Sequence, residues 1–112
     1  MADNYDLIRE AISQRKQVLA TYDHKPRKLC PHALGRNKDG AKMVLSWQFG
    51  GESSTSPFRP DWKCMRVNLL SDVRLADGDW HTGPASSHSR KQRCITRADV
   101  EIPHPFSSFP KF

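Results

Sequence analysis

The sequence lacks long apolar runs. Stretches such as Met43-Val44-Leu45 are far shorter than the roughly 20 residues that cross a bilayer, so no membrane span is expected. It also lacks a Cys-x-x-Cys pair. Cys30, Cys64 and Cys94 are odd in number and widely spaced, which suggests neither a disulfide framework nor a standard zinc knuckle and leaves buried free thiols as the expectation. A phosphate-cradling glycine loop, a Gly-x-Ser-x-Gly elbow and a His-Glu-x-x-His helix are missing as well, so hydrolytic and nucleotide-hydrolysing chemistry has no motif to rest on. The first six residues are acidic and lack the basic-then-apolar order of a secretory leader. A cytoplasmic protein is expected.

What is present suits one small domain. At 112 residues, 37% hydrophobic and 27% charged, the chain sustains a single modest core. A net charge of +6 favours polyanionic partners such as nucleic acid or phosphorylated ligands, because basic surface raises their local concentration.

Hydrophobic periodicity gives the layout. Leu7, Ile8, Ala11 and Ile12 fall on one helical face, predicting a short helix over Tyr5 to Arg15 capped by Asp3 or Asn4. From Gln17 the period becomes that of a strand, through Tyr22. After a turn at 23–26, Arg27 to Leu34 reads as a second strand with Pro31 at an edge or bulge. Asn37 to Gly40 reads as a hairpin turn, and Met43 to Phe49 as a third strand with Met43, Leu45 and Trp47 on one side. Gly50 to Pro60 has loop composition. Trp62 to Leu70 reads as a fourth strand with Met65, Val67 and Leu69 inward, and Val73 and Leu75 as a short fifth. The fold class expected is therefore mainly β: a small, closed or nearly closed antiparallel barrel, Sm-like or SH3-like, of about five strands behind an N-terminal helix. Residues 1–82 form this domain, and 83–112 read as a basic tail containing Pro, Ser and Phe, with one apolar patch from Ile95 to Ile102.

The order of residues resembles a WYL domain, the Sm-like barrel module of bacterial transcription regulators. Leu7-Ile8-Arg9-Glu10-Ala11-Ile12 is similar to the helix that opens the family. Tyr22, then Arg27 or Lys28, then Pro31 and Leu34-Gly35, is similar to its tyrosine, basic residue and proline-x-x-leucine run, and Met65 to Val73 to its closing strand. Where the family reads tryptophan-tyrosine-leucine this chain reads Lys42-Met43-Val44, and Asn68-Leu69 replaces a later Asp-Arg pair. The resemblance implies a regulatory ligand-binding module. With no helix-turn-helix in front of it, an accessory or sensing role is more natural than operator binding.

Chemistry concentrates in two basic groups. Tyr22, Arg27, Lys28, Trp47 and Arg66 are candidates to line one surface that holds a nucleotide or a short single strand, guanidinium on phosphate and aromatic face on base. The bland alternative makes the aromatics core and the cations a solvated face. Arg90, Lys91 and Arg93, with Arg97, form a second cluster able to clamp a phosphate backbone or simply to solubilise the tail. Cys30-x-His32 with Cys64 or His81 offers zinc-type ligands at a spacing that belongs to no standard site, so no metal is expected, nor any other cofactor. Asp77 and Asp79 beside Gly78 read as a polar turn rather than paired catalytic carboxylates. The expected function is thus a non-enzymatic regulatory binding module for a nucleotide-type ligand or nucleic acid. The alternative is a protein-interaction subunit that docks through the barrel or the aromatic tail. Because exposed Phe106, Phe109 and Phe112 are costly in water, the segment from Pro103 to Phe112 is expected to pack back onto the barrel, to cover an open edge, or to reach into a second subunit and so form a homodimer.

Overall fold

The chain begins with a helix whose two ends are chemically fixed. In a computed structural model describing residues 3–52, 59–83 and 94–102, helix α1 spans Asn4–Gln14. The Asp3 carboxylate accepts the Asp6 amide at 2.9 Å, satisfying one donor that the first turn leaves open. At the other end Arg15 turns left-handed (φ 57°), and the amides of Arg15 and Lys16 return to the carbonyls of Ile12 and Ala11. Tyr5, Ile8, Ala11 and Ile12 make the buried face.

Six strands follow: β1 (Gln17–Tyr22), β2 (Lys25–Arg36), β3 (Lys42–Gly51), β4 (Asp61–Arg66), β5 (Ser71–Ala76) and β6 (Arg97–Glu101), with a 3-10 turn at Val67–Leu69 between β4 and β5. All pair antiparallel in one sheet ordered β4-β3-β2-β1-β5. β2 is the axis of the sheet. One of its edges holds β3 along Arg27–Arg36, while the other holds β1 along Lys25–Leu29 and β6 along Ala33–Arg36. Its register against β3 slips twice, once between Lys28 and Leu29 and once between Pro31 and Ala33. The second slip is the bulge expected at Pro31, where the missing N–H breaks the ladder.

The mainly-β class with an N-terminal helix is therefore observed. The sheet has six strands rather than five and is not closed, because β4 and β5 are not hydrogen-bonded to each other. No helix among the described residues is long and apolar enough to cross a membrane.

Pleating divides the side chains between two cores. Ile8, Ala11 and Ile12 pack on Val18, Leu29, Leu34, Val44, Met65, Val67, Leu70 and Ile102. On the other face Ala33, Leu45 and Trp62 gather with Trp47 and Ile95. His32 stands edge-on to Trp62 at 4.8 Å and tilted to Trp80 at 5.0 Å.

Three expectations are corrected. The fourth strand ends at Arg66, and the 3-10 turn that follows breaks the period of two, so Leu69 is 60% exposed rather than inward. Residues 94–102, read as part of a tail, belong to the packed structure: β6 joins the sheet and Ile102 enters the main core. Cys64 and Cys94 are joined in a disulfide, their Cα atoms 6.5 Å apart, and Cys30 alone is a free, buried thiol. Two scattered cysteines gave no sign that β6 would carry the chain back past β4. Residues 53–58 of the expected loop and the aromatic segment 103–112 lie outside the described residues.

Candidate functional site

The β1–β2 connection is a two-residue hairpin turn, with Asp23 and His24 both at positive φ (54° and 62°). Such a turn matches the right-handed twist of the flanking strands. It lifts Asp23 and His24 clear of the sheet, while across β1 the start of β5 pairs Ser71 with Thr21. The 3-10 turn brings Leu69 to the same place. The result is an open cleft of about 500 Å³ lined by Thr21, Tyr22, Asp23, His24, Leu69 and Ser71.

Tyr22 is the wall of this cleft that sequence reasoning anticipated, and Arg27 is its support. The Arg27 guanidinium lies over the Tyr22 ring, 5.5 Å from its centroid, and donates to the Tyr22 carbonyl and to Gln48 Oε1, each at 3.1 Å. Gln48 in turn donates to the carbonyls of Gly50 and Glu52. Arg27 is only 5% exposed. Burial lowers its pKa from the usual value, with Asp23 opposing that shift, followed by Tyr22 and Glu52. An arginine so placed remains a cation, and it holds the ring from behind rather than reaching into the cleft.

The other candidates are dispersed. Lys28 is exposed on the face of β2 opposite Arg27, as strand alternation requires. Trp47 packs against Trp62 at 5.2 Å, with Gly83 against its ring. Arg66 is exposed opposite Met43, at the end of β3 that pairs with Gly35 and Arg36 rather than with Arg27. Arg90, Lys91 and Arg93 lie outside the described residues. The structure thus unites Tyr22 with Arg27 and separates both from Lys28, Trp47 and Arg66. Leu69 and Ser71 were missed, because their place in the cleft depends on a register across 50 residues of chain. Asp23 and His24 had a usable signal in the turn itself.

The zinc-type ligands do not converge. Cys64 is spent in the disulfide, and the Cys30 sulfur accepts the His81 amide at 3.4 Å. Among the described residues no group of three or more His, Cys, Asp or Glu side chains could hold a metal ion. Compared with known proteins, the chain matches no family model, no curated protein and no solved structure.

Proposed function

We propose that this protein is a non-catalytic, regulatory binding module whose hairpin cleft takes a ligand of nucleotide type. The observation that carries the reading is the Tyr22 ring, backed by the buried Arg27 and lining a cleft whose other groups are chemically mixed. A base would lie against Tyr22 and the exposed Leu69, as bases stack on aromatic rings. Sugar hydroxyls would donate to Asp23. The hydroxyls of Thr21 and Ser71 and the imidazole of His24 would meet phosphate. The resemblance to WYL domains, in which Tyr22 and the following basic residue are part of the match, points the same way.

The test is a calorimetric titration with adenosine and uridine monophosphates. Binding that weakens at least ten-fold in Tyr22→Leu and in Ser71→Ala, with the near-ultraviolet circular dichroism unchanged, is the expected outcome. Equal affinity in both variants would remove the cleft from consideration. One observation favours a second reading: Leu69 is the large apolar residue left exposed among the described residues, so the same cleft could dock a protein partner. Affinity insensitive to salt and lost in Leu69→Ser would identify that case.

The Cys64–Cys94 bond weighs against the expected cytoplasmic setting. Disulfides persist in oxidising compartments, and in the cytosol chiefly where redox chemistry uses them.

A further inference from the structure

At the end of β2 away from the hairpin cleft, three cations stand in one cross-strand row. Arg97 on β6 faces Arg36 on β2, and Arg36 faces Lys42 on β3. Directly opposed residues of antiparallel strands project from the same face with Cβ atoms about 5 Å apart. Three positive groups therefore lie side by side, an arrangement that repels itself. Among the described residues none of the three is salt-bridged. Arg36 donates to the Gly40 carbonyl at 2.9 Å, and the Lys42 ammonium lies 5.2 Å from the Tyr5 ring centroid. Arg97 is exposed, and Lys38 adds an exposed cation in the adjoining β2–β3 turn. Of the nearby acids, Asp39 is exposed beside Lys38 in the same turn, and Asp99 is engaged by the Tyr5 hydroxyl and by Arg9 at 3.9 Å.

We propose that this row is a second, separate site that binds the phosphate backbone of single-stranded nucleic acid. Lys42 alone of the three touches the core, through the Tyr5 ring, and cations opposed across neighbouring strands favour an anion brought from outside. Two of its three members are arginines, whose planar forks match phosphate oxygens with paired hydrogen bonds. Their repeat at strand spacing, about 4.8 Å, suits a partner with a repeating charge. A protein partner would want an apolar centre to its interface, and the exposed Leu69 lines the hairpin cleft instead. The sequence pointed to Arg97 only as part of a tail cluster. Arg36 and Lys42 join it through pairings that bring residue 97 back to residue 36.

The site does not depend on the cleft, and different variants test the two. Fluorescence anisotropy with a labelled oligothymidine of about 12 nucleotides, titrated between about 50 and 200 mM salt, reads the row directly. Lys42→Gln/Arg97→Gln is expected to bind at least ten-fold more weakly at the lower salt. Its log–log salt slope should be shallower by about 1.4, two contacts at about 0.7 each for a single strand. Lys63→Gln/Arg74→Gln, which removes the same charge elsewhere, is expected to leave the slope unchanged. Because Lys42 rests on Tyr5, Lys38→Gln/Arg97→Gln serves as a second variant on exposed positions. The proposal is overturned by equal losses in the row and control variants, by no binding of the parent protein at low salt, or by polyglutamate of matched charge displacing the oligonucleotide. The last outcome would assign the row to an acidic protein segment.

Discussion

Arg27 and Gln48 meet across β2 and β3 at 3.1 Å, both shut away from solvent. A guanidinium in that position needs its acceptors, because desolvating a charge is costly unless neighbouring dipoles replace the lost water. Arg27→Ala removes the cation but takes the donor from the buried Gln48 Oε1. The expected loss is about 2–4 kcal/mol in urea unfolding. Arg27→Met with Gln48→Leu should lose less than the two single changes summed, since the double variant leaves fewer buried groups unpaired. Strict additivity would show that the two side chains are not coupled.

The Cys64–Cys94 bond closes a loop across a sequence separation of 30 residues. On the chain-entropy account such a loop contributes about 3–4 kcal/mol by restricting the unfolded chain. Cys64→Ser/Cys94→Ser, and the parent protein in excess dithiothreitol, should therefore both lower the urea midpoint, and by similar amounts. A midpoint indifferent to reductant would mean that the bond does not restrict the unfolded chain.

Where local signals were enough, sequence and structure agree. The spacing of Ile8, Ala11 and Ile12 marks α1, the cap read as Asp3 or Asn4 is Asp3, and Pro31, read as an edge or a bulge, sits at a bulge, because each depends on residues within a turn or two of itself. Tyr22 and Arg27 were named together only within a larger group that also held Lys28, Trp47 and Arg66, and the hairpin brings just these two into contact. The failures share a cause. β6, the disulfide and the place of Leu69 all depend on register between segments far apart in the chain, and alternation in one segment says nothing about which distant edge it will join. The apolar patch from Ile95 to Ile102 was visible, but its partner, the second half of β2, was not.

Two buried acids predict alkaline weakness. Burial pushes the Cys30 thiol up to about 11 from 9.0, the His81 amide offsetting part of it. Burial, followed by the hydrogen bond to Asp99 and its charge, pushes the Tyr5 hydroxyl up to about 12 from 10.0. Both groups hold their protons longer when folded, so above pH 9 the unfolded chain binds fewer protons and stability falls as pH rises. The urea midpoint should be flat from pH 7 to about 8.5 and then decline towards pH 12, with Cys30 responsible for roughly 2–3 kcal/mol of the loss. Cys30→Ala should remove the part of the decline between pH 9 and 11. A midpoint that rises above pH 9 would contradict both assignments.

At Gly35 the backbone of β6 lies close against β2. A Cβ there would run into the Arg97 carbonyl and the Ala98 Cα, both backbone and unable to swing aside. Gly35→Ala should push β6 off its edge while leaving the β1–β2 hairpin intact. Hydrogen exchange would show it as lost protection at the Ile102 amide, which bonds to the His32 carbonyl at 2.7 Å, with Ala20 and Thr21 unaffected. Unchanged protection at Ile102 would mean that the strands can separate slightly without parting.

The sharing of one β2 edge by β1 and β6 has a consequence for how the chain acquires its shape. The first half of that edge is sealed by a neighbour only a few residues upstream, so it closes early and locally. The second half waits for residues 97–101, among the last described residues to leave a ribosome working from the N-terminus. Until then Ala33 to Arg36 offer an open ladder of donors and acceptors, the kind of edge on which strands from other molecules add. That edge thus stays exposed to misassembly for as long as residues 37–101 take to be made.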